Sequence, residues 1–207
     1  MTTPPSTRTR PSPWERAAPP EPSDGRTRVV VVCAANLARS PLVERLLQAE
    51  LDARAPGRFA VSSCGVRVLE RGAMVPGVRR MLRDRGLDAS GHRASPLQAT
   101  RLRGATLVLT AEEAHSVAVL ERVPALLNRT FTVLEFAAIA RHHRARGLDP
   151  AGLLQRAGSL RAAVTAEGGD RHLIDPVGPD PARLGALEAQ LGDAVTVIAD
   201  ALAATRG

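Results

Sequence analysis

Short apolar, β-branched runs alternate along this chain with longer stretches in which apolar residues recur every three or four positions. The first run, Val29-Val-Val-Val-Cys33, is uninterrupted, as a strand buried on both faces requires. From Ser40 to Leu51 the residues Leu42, Val43, Leu46 and Leu47 share a helical face, with Pro41 in the first turn, where its missing N–H costs little. Phe59–Ser63 predicts a second strand, and Met74–Arg85 an amphipathic helix that Gly86 stops. Ala105–Thr110 predicts a third strand, followed by a helix from Ala111 to Arg122. Thr130–Leu134 predicts a fourth strand leading into a helix through Phe136 and Ile139, and the last helix covers Pro181 to Ala203. Strands alternating with helices predict an α/β fold built on a parallel sheet.

Two segments fall outside this alternation. Residues 1–27 are dense in Pro, Ser, Thr, Arg and Glu, lack apolar periodicity, and read as a disordered Pro/Arg-rich tail before a single domain at 28–207. Residues 141–169 open on a basic cluster (Arg141, His142, His143, Arg144, Arg146) and continue as a helix-prone run from Ala151 to Ala166. The adjacent histidines have no acidic or thiol neighbours at ligand spacing, so the segment reads as a solvated helical excursion rather than a metal site.

Composition narrows the function. A chain of 207 residues supports one sizeable core. It shows no secretory leader and no apolar run near the roughly 20 residues that cross a membrane, which predicts a soluble, cytoplasmic protein without membrane insertion. Two cysteines, Cys33 and Cys64, are too few for a disulfide framework, and a lone thiol in a reducing compartment is a candidate nucleophile. The net charge of +7 is carried by dispersed arginines with no lysine at all, and aromatics make up 2% of the chain. Stacking platforms are missing, so no nucleic-acid partner is expected.

The informative segment is Cys33-Ala34-Ala35-Asn36-Leu37-Ala38-Arg39-Ser40-Pro41, set between strand and helix. A loop there turns backbone N–H groups inward at a helix N-terminus, which makes an anion site. A cysteine at its start feels the same field, which favours the thiolate. Arg39 can close the ring and grip two phosphate oxygens, while Ser40 offers its hydroxyl to the sulfur. Together these supply a nucleophile, a charge clamp and a preorganised cradle for a phosphoryl group.

At these residues the chain resembles the low-molecular-weight protein tyrosine phosphatase family, whose signature Cys-x-x-Asn-x-x-Arg-Ser-Pro is matched by Cys33, Asn36, Arg39, Ser40 and Pro41. Val61-Ser-Ser-Cys-Gly65, Ser90-Gly-His92-Arg, Leu107-Val-Leu-Thr and Ile174-Asp175-Pro176 resemble further segments of that family, so the likeness runs from about Arg28 to Ala203. It implies a flavodoxin-like single domain, a four-stranded parallel sheet with helices on both faces. It also implies a left-handed Asn36 held by Ser63 and His92, and a phosphate loop contributed by Ala34, Ala35, Asn36, Leu37, Ala38 and Ser40. The implied chemistry has Cys33 as nucleophile, Arg39 as clamp and Asp175 as general acid, through a cysteinyl-phosphate intermediate and with no metal or organic cofactor. The implied partner is a phosphotyrosine protein, with a bacterial tyrosine kinase as the natural example.

Several residues depart from the family pattern. Ala35 stands where glycine is common, removing the most permissive residue from the loop. Ala38 replaces a frequent cysteine, and Cys64 is the candidate to replace it as a redox guard of Cys33. Val177 follows Asp175-Pro176 where relatives often carry an aromatic. Leu37 matches tyrosine-directed members, whereas phosphoarginine-directed relatives carry a threonine. Two alternatives stand beside the tyrosine phosphatase reading: a catalytically weak phosphate-binding or regulatory module, and an arsenate reductase coupled to a small thiol.

Overall fold

The computed structural model describes residues 24–145, 150–178, 180 and 182–204, so most of the predicted tail lies outside the described residues. Four strands form one sheet: β1 (Thr27–Cys33), β2 (Phe59–Gly65), β3 (Leu107–Thr110) and β4 (Thr130–Thr132). All neighbours are parallel and the order is β2-β1-β3-β4, so the central β1 and β3 are hydrogen-bonded on both sides. Parallel strands need crossovers, supplied here by α1 (Arg39–Arg54), α2 (Pro76–Asp84) with a single turn α3 (Ala99–Leu102), and α4 (Glu113–Arg122); α5 (Val133–Ala145), α6 (Pro150–Glu167) and α7 (Ala182–Ala203) follow the last strand.

The valine run explains why both sheet faces are covered. Side chains alternate along a strand, so Val29, Val31 and Cys33 join one core with Leu107, Leu109 and residues of α1, α2, α5, α6 and α7. Val30 and Val32 point the other way, into a smaller core with Cys64, Val108, Leu102 of α3 and Val119 of α4. The expected four-stranded parallel sheet with helices on both faces is therefore present. Among the described residues, no helix is long and apolar enough to cross a membrane.

Two expectations need correction. The fourth strand was predicted to run to Leu134, but it stops at Thr132 and Val133 already begins α5. A capping box causes this: the Glu135 N–H donates to Thr132 Oγ1 at 3.1 Å, and the Thr132 N–H donates to Glu135 Oε2 at 3.2 Å. The second correction concerns the excursion. Its helix exists as α6, but it is not a solvated appendage, because Leu153, Ala157 and Val164 are buried in the main core. Arg161 fastens it further, with its guanidinium carbon 4.4 Å from the Phe131 ring centroid and its Nε donating to Glu135 at 2.7 Å.

Candidate active site

β1 ends at Cys33 and α1 begins at Arg39, and the five residues between them form a tight loop over the C-terminal edge of the sheet. Its shape depends on Asn36, which has φ 56°, the one positive φ at a non-glycine residue among those described. An asparagine tolerates this left-handed backbone better than most residues. Ala35 does not adopt it, so the missing family glycine costs the loop no backbone freedom it needs.

Asn36 is fully buried, and every polar part of its side chain is used. Its Nδ2 donates to Ser40 Oγ at 2.9 Å and to Ser63 Oγ at 2.8 Å, while the Ser95 N–H donates to its Oδ1 at 2.8 Å. His92 Nε2–H donates to the Asn36 carbonyl at 2.8 Å, which fixes the tautomer at that nitrogen. Ser63 in turn donates to Glu44 Oε2 of α1. The predicted support of Asn36 by Ser63 and His92 is thus present, and Ser95 and Glu44 extend it.

Cys33 is buried, with Ser40 Oγ 3.0 Å from its sulfur and the Asn36 N–H donating to the sulfur at 3.3 Å. Ala38, at the N-cap position of α1, makes no side-chain cap, so the first-turn N–H groups of that helix have no side-chain acceptor there. Leu37 is half-buried, and its carbonyl accepts from the Val75 N–H at 2.9 Å. The carbonyls of Cys33 and Ala34 accept from Val66 and Arg67, which ties the loop to the segment after β2. Gly65 makes that approach possible. A Cβ there would lie 2.6 Å from the Ala34 carbonyl oxygen and 2.8 Å from the Asn36 nitrogen.

Arg39 is almost fully buried and bridges two elements. Its Nη2 donates to Asp175 Oδ2 at 3.1 Å, its Nη1 to the Leu173 carbonyl at 3.4 Å, and Nη1 also pairs with Glu112. Asp175 is held at the mouth by its own loop: the Leu173 N–H donates to the Ala111 carbonyl at 2.9 Å, and Arg183 Nε to the Asp175 carbonyl at 2.6 Å. The structure therefore brings Cys33, Arg39, Ser40 and Asp175 to one end of the sheet, with Val177 exposed beside them.

Glu112 and His115 were not anticipated. Burial alone would raise the Glu112 carboxyl, but the hydrogen bond and charge of Arg39, with His115 and His172 nearby, hold it below its ordinary value. Burial pushes the His115 imidazole below 6.5; Arg39 and Arg67 act the same way, while Glu112 and Asp175 oppose them. His115 Nδ1 is buried with no hydrogen-bond partner among the described residues. A sequence signal existed for Glu112, a carboxylate directly after an apolar strand end in Leu107-Val-Leu-Thr-Ala-Glu112, but it lacks a partner until the fold brings Arg39 beside it.

The redox-guard expectation fails. Cys64 lies opposite Val32 rather than Cys33, so its side chain enters the core on the other sheet face. A bond between sulfurs directed to opposite faces would require moving a strand. Burial also pushes the Cys64 thiol up to about 12, which leaves it without a thiolate.

The fold and its family likeness define the class, a cysteine-dependent phosphatase, which is a hydrolase. A family model described as low molecular weight phosphotyrosine protein phosphatase matches residues 28–199, and the chain belongs to that family. A protein-arginine-phosphatase of Geobacillus stearothermophilus is 32% identical over 111 residues, 54% of this chain and 72% of the relative. The probable low molecular weight protein-tyrosine-phosphatase EpsP of Ralstonia nicotianae is 31% identical over 107 residues, 52% of this chain and 70% of the relative. Among solved structures, the tyrosine phosphatase AmsI of Erwinia amylovora superposes with a TM-score of 0.63 at 21% identity, covering 86% of this chain and 93% of that one. The YwlE arginine phosphatase of Geobacillus stearothermophilus gives a TM-score of 0.60 at 25% identity, covering 86% and 90%.

Proposed function

We propose that this chain is a protein phosphotyrosine phosphatase of the cytoplasm, with Cys33 as nucleophile, Arg39 as phosphate clamp and Asp175 as general acid. The observation that carries the reading is the position of Arg39. One buried guanidinium starts the helix above Cys33 and also reaches Asp175 at 3.1 Å. A phosphate dianion entering the loop would compete with Glu112 and Asp175 for that guanidinium, and the loop N–H groups would take its remaining oxygens.

In the first step Cys33 Sγ attacks phosphorus in line, the bond from phosphorus to the tyrosyl oxygen breaks, and Asp175 gives its proton to that oxygen. In the second, Asp175 takes a proton from water, the water oxygen attacks phosphorus, and the S–P bond breaks to release phosphate and regenerate the Cys33 thiolate. Ser40, 3.0 Å from the sulfur, stabilises the thiolate as attacking and as leaving group.

Leu37 supports tyrosine over arginine, because an apolar side chain at the mouth suits an aryl ring. The 32% identity to a protein-arginine-phosphatase favours the second reading, a phosphoarginine substrate. A bacterial tyrosine kinase is the class of partner that would supply phosphotyrosine. Hydrolysis of p-nitrophenyl phosphate by wild type, lost in Cys33→Ser, tests the chemistry, and parallel assays on phosphotyrosine and phosphoarginine peptides test the substrate. Faster turnover of the phosphoarginine peptide would overturn the tyrosine reading. No turnover at all in folded protein would overturn the enzyme reading and leave arsenate reduction or phosphopeptide binding.

A further inference from the structure

The mouth of the site is electrically lopsided. Two segments flank the loop on one side, residues 66–75 after β2 and residues 92–102 leading into α3. The Arg67 N–H donates to the Ala34 carbonyl, the Ala94 N–H donates to the Gly72 carbonyl, and His92 donates to Asn36, so both segments are fastened at the loop. They carry the exposed arginines Arg67, Arg71, Arg93 and Arg101 against a single carboxylate, Glu70. Among the described residues, none of the four arginines has a carboxylate partner. The opposite side of the mouth carries Glu112, Glu113 and Asp175, but these are compensated: Arg39 pairs with Glu112 and Asp175, and Arg171 with Glu113.

Between the two segments lies a cleft of about 270 Å³, whose lining includes Arg71, Arg101, Gln98, Pro96 and Leu69. Leu69 is 97% exposed at its edge, an apolar side chain with nothing covering it.

We infer that the Arg67, Arg71, Arg93 and Arg101 side of the mouth is a docking surface for an acidic segment flanking the phosphorylated residue, with Leu69 offering an apolar contact beside it. The inference rests on the phosphotyrosine reading of the site. Charge complementarity selects the occupant. A basic flank would meet four unpaired guanidiniums, whereas Asp and Glu side chains would pair with them. The charges across the mouth already compensate one another, so the uncompensated positive charge lies on the arginine side, which draws the acidic flank there and orients the peptide across the loop. Cleft and arginines belong to the two segments that hold the loop, 66–75 at Cys33, Ala34 and Leu37 and 92–102 at Asn36, so the docking surface is rigidly referenced to Cys33.

The test uses full-length Cys33→Ser protein and fluorescein-labelled phosphotyrosine peptides of one length, flanked by Glu, Gln or Lys, with affinity read by fluorescence anisotropy. At about 20 mM salt the Glu peptide should bind about tenfold more tightly than the Lys peptide, the combined effect of several exposed ion pairs of modest individual strength. Near 0.5 M salt the ratio should fall to about twofold as screening shortens their reach. The double charge reversal Arg71→Glu/Arg101→Glu should abolish the preference. Arg122→Glu/Arg129→Glu makes the same change in net charge at the far end of the sheet and should leave the preference in place. Equal binding of Glu and Lys peptides at low salt, or equal effects of the two double variants, would overturn the proposal. Tighter binding of an oligothymidylate than of the Glu peptide would overturn it in favour of nucleic acid. Loss of the phosphatase reading shows separately, as wild type inactive on p-nitrophenyl phosphate, and the binding ratio still decides the docking surface in that case.

Discussion

Adding one methyl group at Gly65 tests how the loop is held. The alanine Cβ would sit 2.6 Å from the Ala34 carbonyl oxygen, 2.8 Å from the Asn36 nitrogen and 2.9 Å from the Ala35 carbonyl carbon. All three are backbone atoms, so no rotamer change relieves the clash. Restoring ordinary contact requires the loop to rise by roughly 0.8 Å, against the bonds that tie Cys33 and Ala34 to Val66 and Arg67. Overpacking of this kind costs about 2 kcal/mol, which lowers Tm by about 4–8 °C in a chain of this size. If Cys33 is the nucleophile as proposed, displacing it by close to 1 Å costs about 100-fold in kcat/KM. Thermal melting and p-nitrophenyl phosphate kinetics on Gly65→Ala measure both quantities. Gly185→Ala is the control: a Cβ there meets nothing within 4 Å in α7, so Tm should rise by about 2 °C with kinetics unchanged. A Gly65→Ala protein with wild-type Tm and kcat/KM would refute the claim that backbone proximity at Gly65 sets the loop.

Two further outcomes follow from the buried titratable groups. With its thiol pushed up to about 12 and no solvent access, Cys64 should resist iodoacetamide at pH 8 in folded protein, so Cys33→Ser should show no alkylated mass until it is unfolded. His115 has a folded-state pKa below its unfolded value of 6.5, so the unfolded chain binds more protons between the two, and stability is lost as pH falls from 6.5 through that window. Melting curves from pH 7.5 to 5.0 should show this decline in wild type and a flatter one in His115→Gln. Glu112, lowered from 4.5, contributes only to the fall at more acid pH. Identical slopes in both proteins would rule out His115 as the source.

The sequence made legible whatever is written locally. Four consecutive valines could only be a two-faced strand, and Cys33, Arg39 and Ser40 sit within one loop and one helical turn. Thr132-Val-Leu-Glu135 is also a capping-box pattern, but Thr130-Phe-Thr-Val has equally strong strand character, and the strand ends two residues short of its predicted end. The buried face of α6, made by Leu153, Ala157 and Val164, follows a basic cluster whose charge favours solvent, so its apolar residues are visible as a core face only in the fold. Cys64 misled for a different reason. Its closeness to Ser63 in sequence suggests closeness to Cys33, yet the period of two along a strand sends it to the other face. Ser95 lies 59 residues from Asn36, Glu44 lies 19 from Ser63 and Glu112 lies 73 from Arg39, and only the assembled fold makes each pair.

The bonds on Asn36 have a consequence for how the protein comes to life. Its partners lie 4, 27, 56 and 59 residues away, so the left-handed turn gains little from its immediate neighbours and most from strangers in sequence. Such contacts form late, because the intervening chain must close first. A nascent or refolding molecule can therefore own a complete central strand and first helix while its thiol still sits in an unformed loop. Under the proposed mechanism, catalytic competence then reports on the docking of α1, β2 and the 92–95 segment around Asn36. Under that mechanism, any event that frees the 92–95 segment would switch the thiol off without touching it.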